Sequence, residues 1–524
     1  MWKTPLPYGR GSSGRRSNLL RRVKKLARWG LVRDYSEITI KERMRMNGLK
    51  LTLVAASAIF AGVSYGQSET ERFERSLEQI RRDTLLRANE AIPIDQRLTL
   101  EYGGYITFSY LSADDNNNDN HVLRQTELLG YARVNIDNAH EFFLRYRTGW
   151  RDFNEGDSFD GRGDEAIDGD IDRGYYRFDL ARSEAAYHGR TLKNNLIIKA
   201  GRDLTYWGNG LTLAEVIDGL MIDATWEKLS LSVIAGVTPV RTVDFDSSRP
   251  NFDYNTRRGF YGAMLSGEFG KHHPYVFGLI QRDYNKDVAY DLGPVSTTFD
   301  YNSYYIGIGA SGSSGDHILY GAEFVYEGGR SLSNSFTTAG GTLPTQVEQV
   351  HDDIQAWAGD VRIEYLFNDA RRTRVSAEVI LASGDDDRGN TSNTFSGNKP
   401  GTTDRAFNGF GLLNTGLAFG PSVSNMLALR IGGATFPLPD AGPFRRMQIG
   451  TDLFFFNKLQ TDAPIDEETF DERYLGFEPD VYLNWQITSD VTLAVRYGIF
   501  FPNSDAFLRD DSRQFLYLSL SYAF

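Results

Sequence analysis

The 524-residue chain has no cysteine, which excludes a disulfide framework, a thiolate nucleophile and cysteine-based metal sites. It also lacks any apolar run of about 20 residues, the length a membrane-crossing helix needs, and its mean hydropathy is −0.40. A polytopic helical membrane protein is therefore excluded. The seven histidines (His121, His140, His188, His272, His273, His317 and His351) fall on different turns and loop edges, so no zinc cluster can be read. Neither a Gly-x-Ser-x-Gly elbow nor a phosphate-binding Gly-rich loop is present. No enzyme signature remains, although a hydrolase site assembled from distant strands would leave none. No cofactor is implied.

What is present is alternation. The last residues, Arg513-Gln-Phe-Leu-Tyr-Leu-Ser-Leu-Ser-Tyr-Ala-Phe524, place Phe524, Tyr522, Leu520, Leu518 and Leu516 in one register. The other register holds Ala523, Ser521, Ser519 and Tyr517. One apolar and one polar face suit a strand between lipid and a wet lumen, as in an outer-membrane barrel. A chain-final Phe524 with alternate aromatics also resembles the signal that barrel-assembly machinery reads.

The N-terminal part is composite. Residues 1–43 are basic, with Arg21, Arg22, Lys24, Lys25 and Arg28. Residues 44–66 read as a secretory signal peptide: Lys50, a short apolar stretch, then small residues at Ser64 and Gly66 before Gln67. A signal so far inside the chain suggests that 1–43 is a misassigned upstream leader; a basic nucleic-acid-binding arm is the rival. Residues 67–524 carry 43 Lys+Arg against 66 Asp+Glu, a formal charge of −23, which argues against nucleic-acid binding. Within 67–97, residues 68–91 read as a periplasmic helix, with Phe73, Leu77, Ile80 and Thr84 at helical spacing and Pro93 beyond its end. A spacer, a pore plug or a coiled-coil handle would each account for it.

From Leu98 the pattern has period two. It predicts about 18 strands: 98–111, 123–137, 140–153, 174–186, 194–203, 217–226, 229–238, 257–268, 273–284, 302–313, 315–327, 354–367, 371–383, 423–436, 444–457, 477–488, 490–502 and 513–524. Short turns at 137–139, 227–228, 270–273, 368–370 and 488–490 alternate with long polar loops at 154–173, 239–256, 328–353, 384–422 and 458–477. The fold expected for 98–524 is all-β: an antiparallel up-and-down transmembrane β-barrel in outer-membrane lipid, with long loops outside and both ends of the barrel chain in the periplasm.

On strand 140–153 Phe142, Leu144, Tyr146, Thr148 and Trp150 oppose Arg145, Arg147, Gly149 and Arg151. A lipid-facing arginine near the midplane costs about 2–4 kcal/mol, so the arginines should face the lumen. The same parity sends Arg133, Arg177, Arg362, Arg374, Arg430, Arg446 and Arg496 inward, with Asp179, Glu364 and Glu378. Arg145, Arg147 and Arg151 have no acid in register on their own strand. The wall could be a neutralised salt-bridge lattice or an arginine-lined conduit for anionic solutes. The Asp168, Asp170 and Asp172 spacing is like the start of a calcium loop, but the glutamate at the twelfth position is missing; a solvated outer loop is the alternative.

The segment Gly201-Arg-Asp-Leu-Thr-Tyr-Trp-Gly-Asn-Gly-Leu211, followed by Asp218-Gly-Leu-Met-Ile-Asp223, resembles the alginate export family of outer-membrane proteins. The residues that carry the likeness are Gly201, Arg202, Tyr206, Gly208, Gly210, Asp218 and Gly219. A second echo joins Ala382-Ser-Gly-Asp-Asp-Asp387 to Arg405-Ala-Phe407. The resemblance implies a monomeric 18-stranded barrel whose arginine-rich constriction passes an acidic polysaccharide. The helix at 68–91 and the acid-rich loops depart from that pattern. The expected function is passive passage of polar, anionic solutes or saccharide. Its rivals are a general porin and a closed barrel serving as a surface anchor, and loop 384–422 folded into the lumen would favour the anchor.

Overall fold

The computed structural model describes residues 98–154, 163–240, 242, 257–285, 290–292, 295–337, 345–388, 397–467 and 469–524. The leader, the signal peptide and the 68–91 helix lie outside the described residues. The strands, in chain order, are β1 (Leu98–Asp114), β2 (Asn120–Ile136), β3 (His140–Phe153), β4 (Glu165–Asp179), β5 (Asn194–Trp207) and β6 (Leu213–Trp226). Next come β7 (Leu229–Val237), β8 (Arg258–Gly267), β9 (His272–Asp283), β10 (Tyr290–Leu292), β11 (Val295–Thr297), β12 (Tyr301–Ser314) and β13 (Ile318–Leu332). The rest are β14 (Phe336–Thr337), β15 (Thr345–Gln346), β16 (His351–Leu366), β17 (Arg374–Ala382), β18 (Met426–Thr435), β19 (Met447–Lys458), β20 (Tyr474–Gln486), β21 (Val491–Pro502) and β22 (Arg513–Ala523).

Eighteen of these make one antiparallel sheet that closes where β22 pairs with β1, from Tyr105↔Ala523 to Ala113↔Phe515. The ribbons β10–β11 and β14–β15 belong to loops. Each of the eighteen segments expected from period two is a barrel strand. The shortest, β7 and β17, have nine residues, about the least that crosses a bilayer when tilted. Phe142, Leu144, Tyr146 and Trp150 on β3, and Leu518, Leu520, Tyr522 and Phe524 at the chain end, are all exposed. Such a continuous apolar exterior belongs in lipid, and the molecule is an outer-membrane β-barrel. Phe524 exchanges two backbone hydrogen bonds with Gly104, and its ring lies over the space a side chain there would fill.

Strand ends differ from expectation by a few residues in many places, and two of the differences move residues expected at a site. The fourth strand starts at Glu165 and ends at Asp179, not 174–186. Asp168, Asp170 and Asp172 therefore lie on a strand and not in an outer loop. Aspartate is a poor strand former in general, but Asp172 here meets Arg145 and Asp170 meets Arg202. Downstream, the Asp179 carboxylate accepts from the Arg182 N–H and starts helix α1 (Leu180–His188), which Gly189 ends at φ 63°. Arg446 is the other correction: it is exposed in the turn Gly442–Arg446, and β19 begins only at Met447. Pro443 near the start of that turn favours a helical conformation over a strand.

The hairpin of β5 and β6 does not stay in the wall. β4 pairs with β5 only as far as Gly174↔Arg202, and β6 pairs with β7 only from Asp218↔Val237 downward. Above that level residues 203–217 bend into the barrel. Gly201 and Gly219 face each other at the bend. Gly201 has φ 133°, and a Cβ there would stand 2.3 Å from the Gly174 carbonyl; a Cβ on Gly219 would stand 2.4 Å from that of Ala235. Gly201→Ala should lower barrel stability by about 1–3 kcal/mol. Urea unfolding followed by heat-modifiable gel migration checks this; an unchanged midpoint would mean that the bend tolerates a side chain.

Candidate functional site

The inward arginines are engaged, most of them across strands and some, such as Arg177 and Arg362, by an acid two residues along their own strand. Arg145 forks onto Asp172 at 2.5–3.0 Å, Arg147 reaches Glu127 at 2.8 Å, and Arg151 reaches Glu165 at 3.2 Å. Each partner comes from β2 or β4, so the lack of acid on β3 itself did not leave the three unpaired. Arg133 meets Glu101 at 3.3 Å, Arg177 meets Asp179 at 3.2 Å, and Arg362 and Arg374 share Glu364 at 2.9 and 3.5 Å. Arg430 donates to Glu378 at 2.8 Å and forks onto Asp452 at 2.9 and 3.0 Å. Arg496 donates to the carbonyls of Leu483 and Val495, with its guanidinium 5.3 Å from the Tyr482 ring centre.

The infolded hairpin is half of a shelf across the lumen. At its neck Arg202 forks onto Asp218 at 2.7 and 2.9 Å. At its tip Gly208 (φ 59°) and Gly210 (φ 86°) turn the chain, and the Asn209 N–H donates to Glu323 on the far wall at 2.7 Å. The resemblance motif is thus the neck and tip of this hairpin. Trp207, Leu211 and Leu213 pack on the inner faces of Phe260, Phe277 and Tyr305.

The loop between β17 and β18 supplies the other half. Its Phe410 exchanges backbone bonds with Thr212 and Ala214, and the Leu412 N–H donates to the Gly210 carbonyl. Wall carboxylates hold this segment by its backbone. Glu327 accepts from Asn408 at 2.8 Å, and Glu478 accepts from Leu417, Ala418 and Phe419 at 2.5, 2.7 and 2.8 Å. The Phe419 ring stacks on Phe500 at 4.2 Å. Nearer the wall top, burial raises the Asp404 carboxyl above its usual range, against the opposing pull of Arg388 at 2.6 Å.

Two cavities among the described residues bear on the predicted site residues. One, of about 720 Å³, lies under the shelf and brings Tyr206, Arg362, Glu364, Arg374, Glu378, Arg430 and Arg496 together. The other, of about 800 Å³, opens at the short-turn end between Arg133, Arg177, Arg182, Lys199 and α1. Arg145, Arg147 and Arg151 line neither of these two. Sequence reading missed the fastening carboxylates Glu323, Glu327 and Glu478. Their only signal was acids at inward parity on largely apolar strands, Glu323 with Glu327 on β13 and Glu478 with Asp480 on β20. In the acidic stretch before the shelf, oxygens of Asp385, Asp386 and Asp387 lie within 4.8 Å of one another, but Asp385 already accepts from Asn398, from the Asp387 N–H and from the Arg405 N–H.

The fold and this lumen define a membrane-spanning β-barrel with an inward shelf. No protein-family model matches the chain, and no curated protein does. Among solved structures, OccK11 (OpdR) of Pseudomonas aeruginosa is similar at a TM-score of 0.46 and 11% identity, over 81% of this chain and 96% of that one. OccK2 (OpdF) of the same organism in complex with glucuronate gives 0.46, 11%, 81% and 98%, and its OpdK with vanillate gives 0.45, 11%, 81% and 98%. At these values the likeness says nothing about what this lumen passes.

Removing the Glu478 carboxylate strands three donors, at about 1–3 kcal/mol for each left buried. Glu478→Ala should therefore speed backbone hydrogen exchange at Leu417–Phe419 at least tenfold, with a smaller rise for Glu478→Gln, which keeps an acceptor. Unchanged exchange in the alanine variant would mean that packing of Phe419 alone holds the shelf.

Proposed function

We propose that this protein is a passive outer-membrane channel for small polar solutes, anions among them. The observation that carries the reading is the charged, water-reached wall left beneath the shelf, where the side chains of Arg362 and Arg374 are 46% and 42% exposed. A barrel of 16–18 strands is wide enough to keep an aqueous passage, so a shelf narrows it without filling it. At the short-turn end Arg133, Arg177, Arg182 and Lys199 line a vestibule together with Asp137, Glu141 and Asp223, four cations to three acids, which leans weakly toward anions arriving from that side. Pairing with carboxylates keeps any one anion from being held too long, and a conducting site must release what it binds. The polysaccharide export implied by the resemblance would require the shelf to swing aside, because a polymer needs a continuous open path.

A second reading has its own observation. Residues 404–419 lie inside the lumen and are tied to both walls, as a closed surface anchor would have them. Planar-bilayer recording with protein purified from outer membranes separates the two. Steady conductance, weakly anion-selective under a salt gradient and shifted toward cations by the double change Arg177→Ala and Lys199→Ala, is expected. Deletion of 404–419 should raise the conductance several-fold. A folded barrel that passes no current would overturn the channel and leave the anchor.

A further inference from the structure

We propose that the wall under the shelf holds a binding station for a solute ammonium group, formed by Glu323 and Asp360 beneath Asn209 and Tyr206. The proposal deepens the channel reading and rests on it for the route by which a solute arrives. Glu323 on β13 and Asp360 on β16 are direct register partners. Both side chains point inward, and the residues are 3% and 4% exposed. Like charges directly opposite in a sheet repel, and elsewhere in this lumen each carboxylate–guanidinium contact relieves such a charge. Here the neighbouring guanidiniums are engaged: Arg362 by Glu364, Arg430 by Glu378 and Asp452.

Hydrogen bonding leaves the same opening. Oε2 of Glu323 accepts from the Asn209 N–H at 2.7 Å and from the Tyr275 hydroxyl at 2.6 Å. The Asn209 side chain also bonds the Asp360 carboxylate, yet among the described residues Oε1 of Glu323 and Oδ1 of Asp360 have no hydrogen-bond partner. Two carboxylates, each with an orphan oxygen and packed side by side, require a donor that also carries positive charge. Asp360 lines the 720 Å³ cavity together with Tyr206, Asn209, Leu412 and Leu413. Tyr206 is 45% exposed, and its ring adds a face that attracts a cation, while the two leucines offer a surface for an apolar body.

The ligand chemistry follows from the count of oxygens. A calcium ion takes six to eight oxygen ligands, and two carboxylates do not supply them. Among the described residues, the group of three acidic side chains within common reach of an ion is Asp385–Asp387, in a loop. A primary ammonium brings three N–H donors and one charge, which suits two orphan acceptors and an aromatic face. The class inferred is therefore small organic ammonium compounds. Without a ligand, the two carboxylates stand opposite each other with no cation of their own.

Isothermal titration of the detergent-solubilised full chain at neutral pH tests this with two probes of one body, phenethylammonium and 3-phenylpropanoate. Saturable binding of phenethylammonium, at least tenfold tighter than that of 3-phenylpropanoate, is expected. Asp360→Asn and Glu323→Gln should each weaken it at least tenfold. Equal or tighter binding of the carboxylate, no saturable binding of either probe, or binding unmoved in both variants would overturn the station. Should Asp360→Asn fail to fold, Glu323→Gln carries the comparison, since its amide oxygen still accepts from Asn209 and Tyr275. Failure of the channel reading shows separately, as absent current from a protein that still binds.

Discussion

Lipid offers backbone groups no water, so every N–H and C=O at membrane depth must find its partner within the protein. Closure of β22 onto β1 meets that demand around the barrel, and the infolded hairpin puts it at risk. Where β5 leaves the wall, β4 loses its ladder partner above Gly174. Arg202 stands at that break. While forking onto Asp218 across the neck, it donates from Nη1 to the Ile171 carbonyl at 2.8 Å, so a side chain extends the ladder by one acceptor after the strand has gone. The neck arginine therefore serves two needs: it ties β5 to β6, and it covers the exposed edge of β4. The glycines beside it make the bend possible, and the arginine makes it tolerable in a membrane.

The lumen follows from that bend. Once inside, the hairpin presents its own polar backbone to the interior, and the strand-like stretch around Phe410 pairs with it. The N–H groups at Asn209, Asn408 and Leu417–Phe419 then find carboxylates on two different strands, β13 for the first two and β20 for the last, with Glu323 and Glu327 two turns of the pleat apart on one face. Charged acceptors make stronger hydrogen bonds than neutral ones, which suits a segment crossing open space with few neighbours. The apolar residues do the rest by filling the space between shelf and wall, with Trp207 and Phe419 fully buried at its two ends.

Much of this was legible in the residues and some was not. Period two located all eighteen strands because a barrel wall between lipid and water imposes it without exception. The failure at Glu165–Asp172 has a physical cause: the acids that look like a solvated loop are the luminal face of a strand, balanced by Arg145 and Arg202 on its neighbours. Partners across a sheet depend on register, which single-strand parity cannot supply, and so Arg145, Arg147 and Arg151 looked unpaired. The infolding was not legible in the alternation, which expects strands at 194–203 and 217–226 and so reads the residues between them as an ordinary connection, although both strands continue into the lumen as far as Trp207 and from Leu213. Only the facing glycines at 201 and 219 marked it, and a glycine pair is meaningful only once the strands are aligned.

Charge is distributed along the axis as well as around it. Residues 67–524 carry a formal charge of −23, yet the luminal arginines are nearly all matched to acids, so the surplus lies elsewhere. At the long-loop end sit Asp115, Asp119, Asp300, Asp353, Asp386, Asp387, Asp510 and Asp511. At the short-turn end Arg133, Arg177, Arg182 and Lys199 gather around one vestibule together with Asp137, Glu141 and Asp223. Fields of one sign at a mouth raise the local concentration of the opposite ion there. A solute therefore meets different fields at the two mouths: an outer rim rich in acids, and an inner vestibule where bases and acids are interleaved. The shelf stands between the two fields, and it is at the shelf, where Arg362 and Arg374 lie within a few residues of Asp360 and Glu378 on adjacent strands, that a solute bearing either charge must exchange one set of partners for the other.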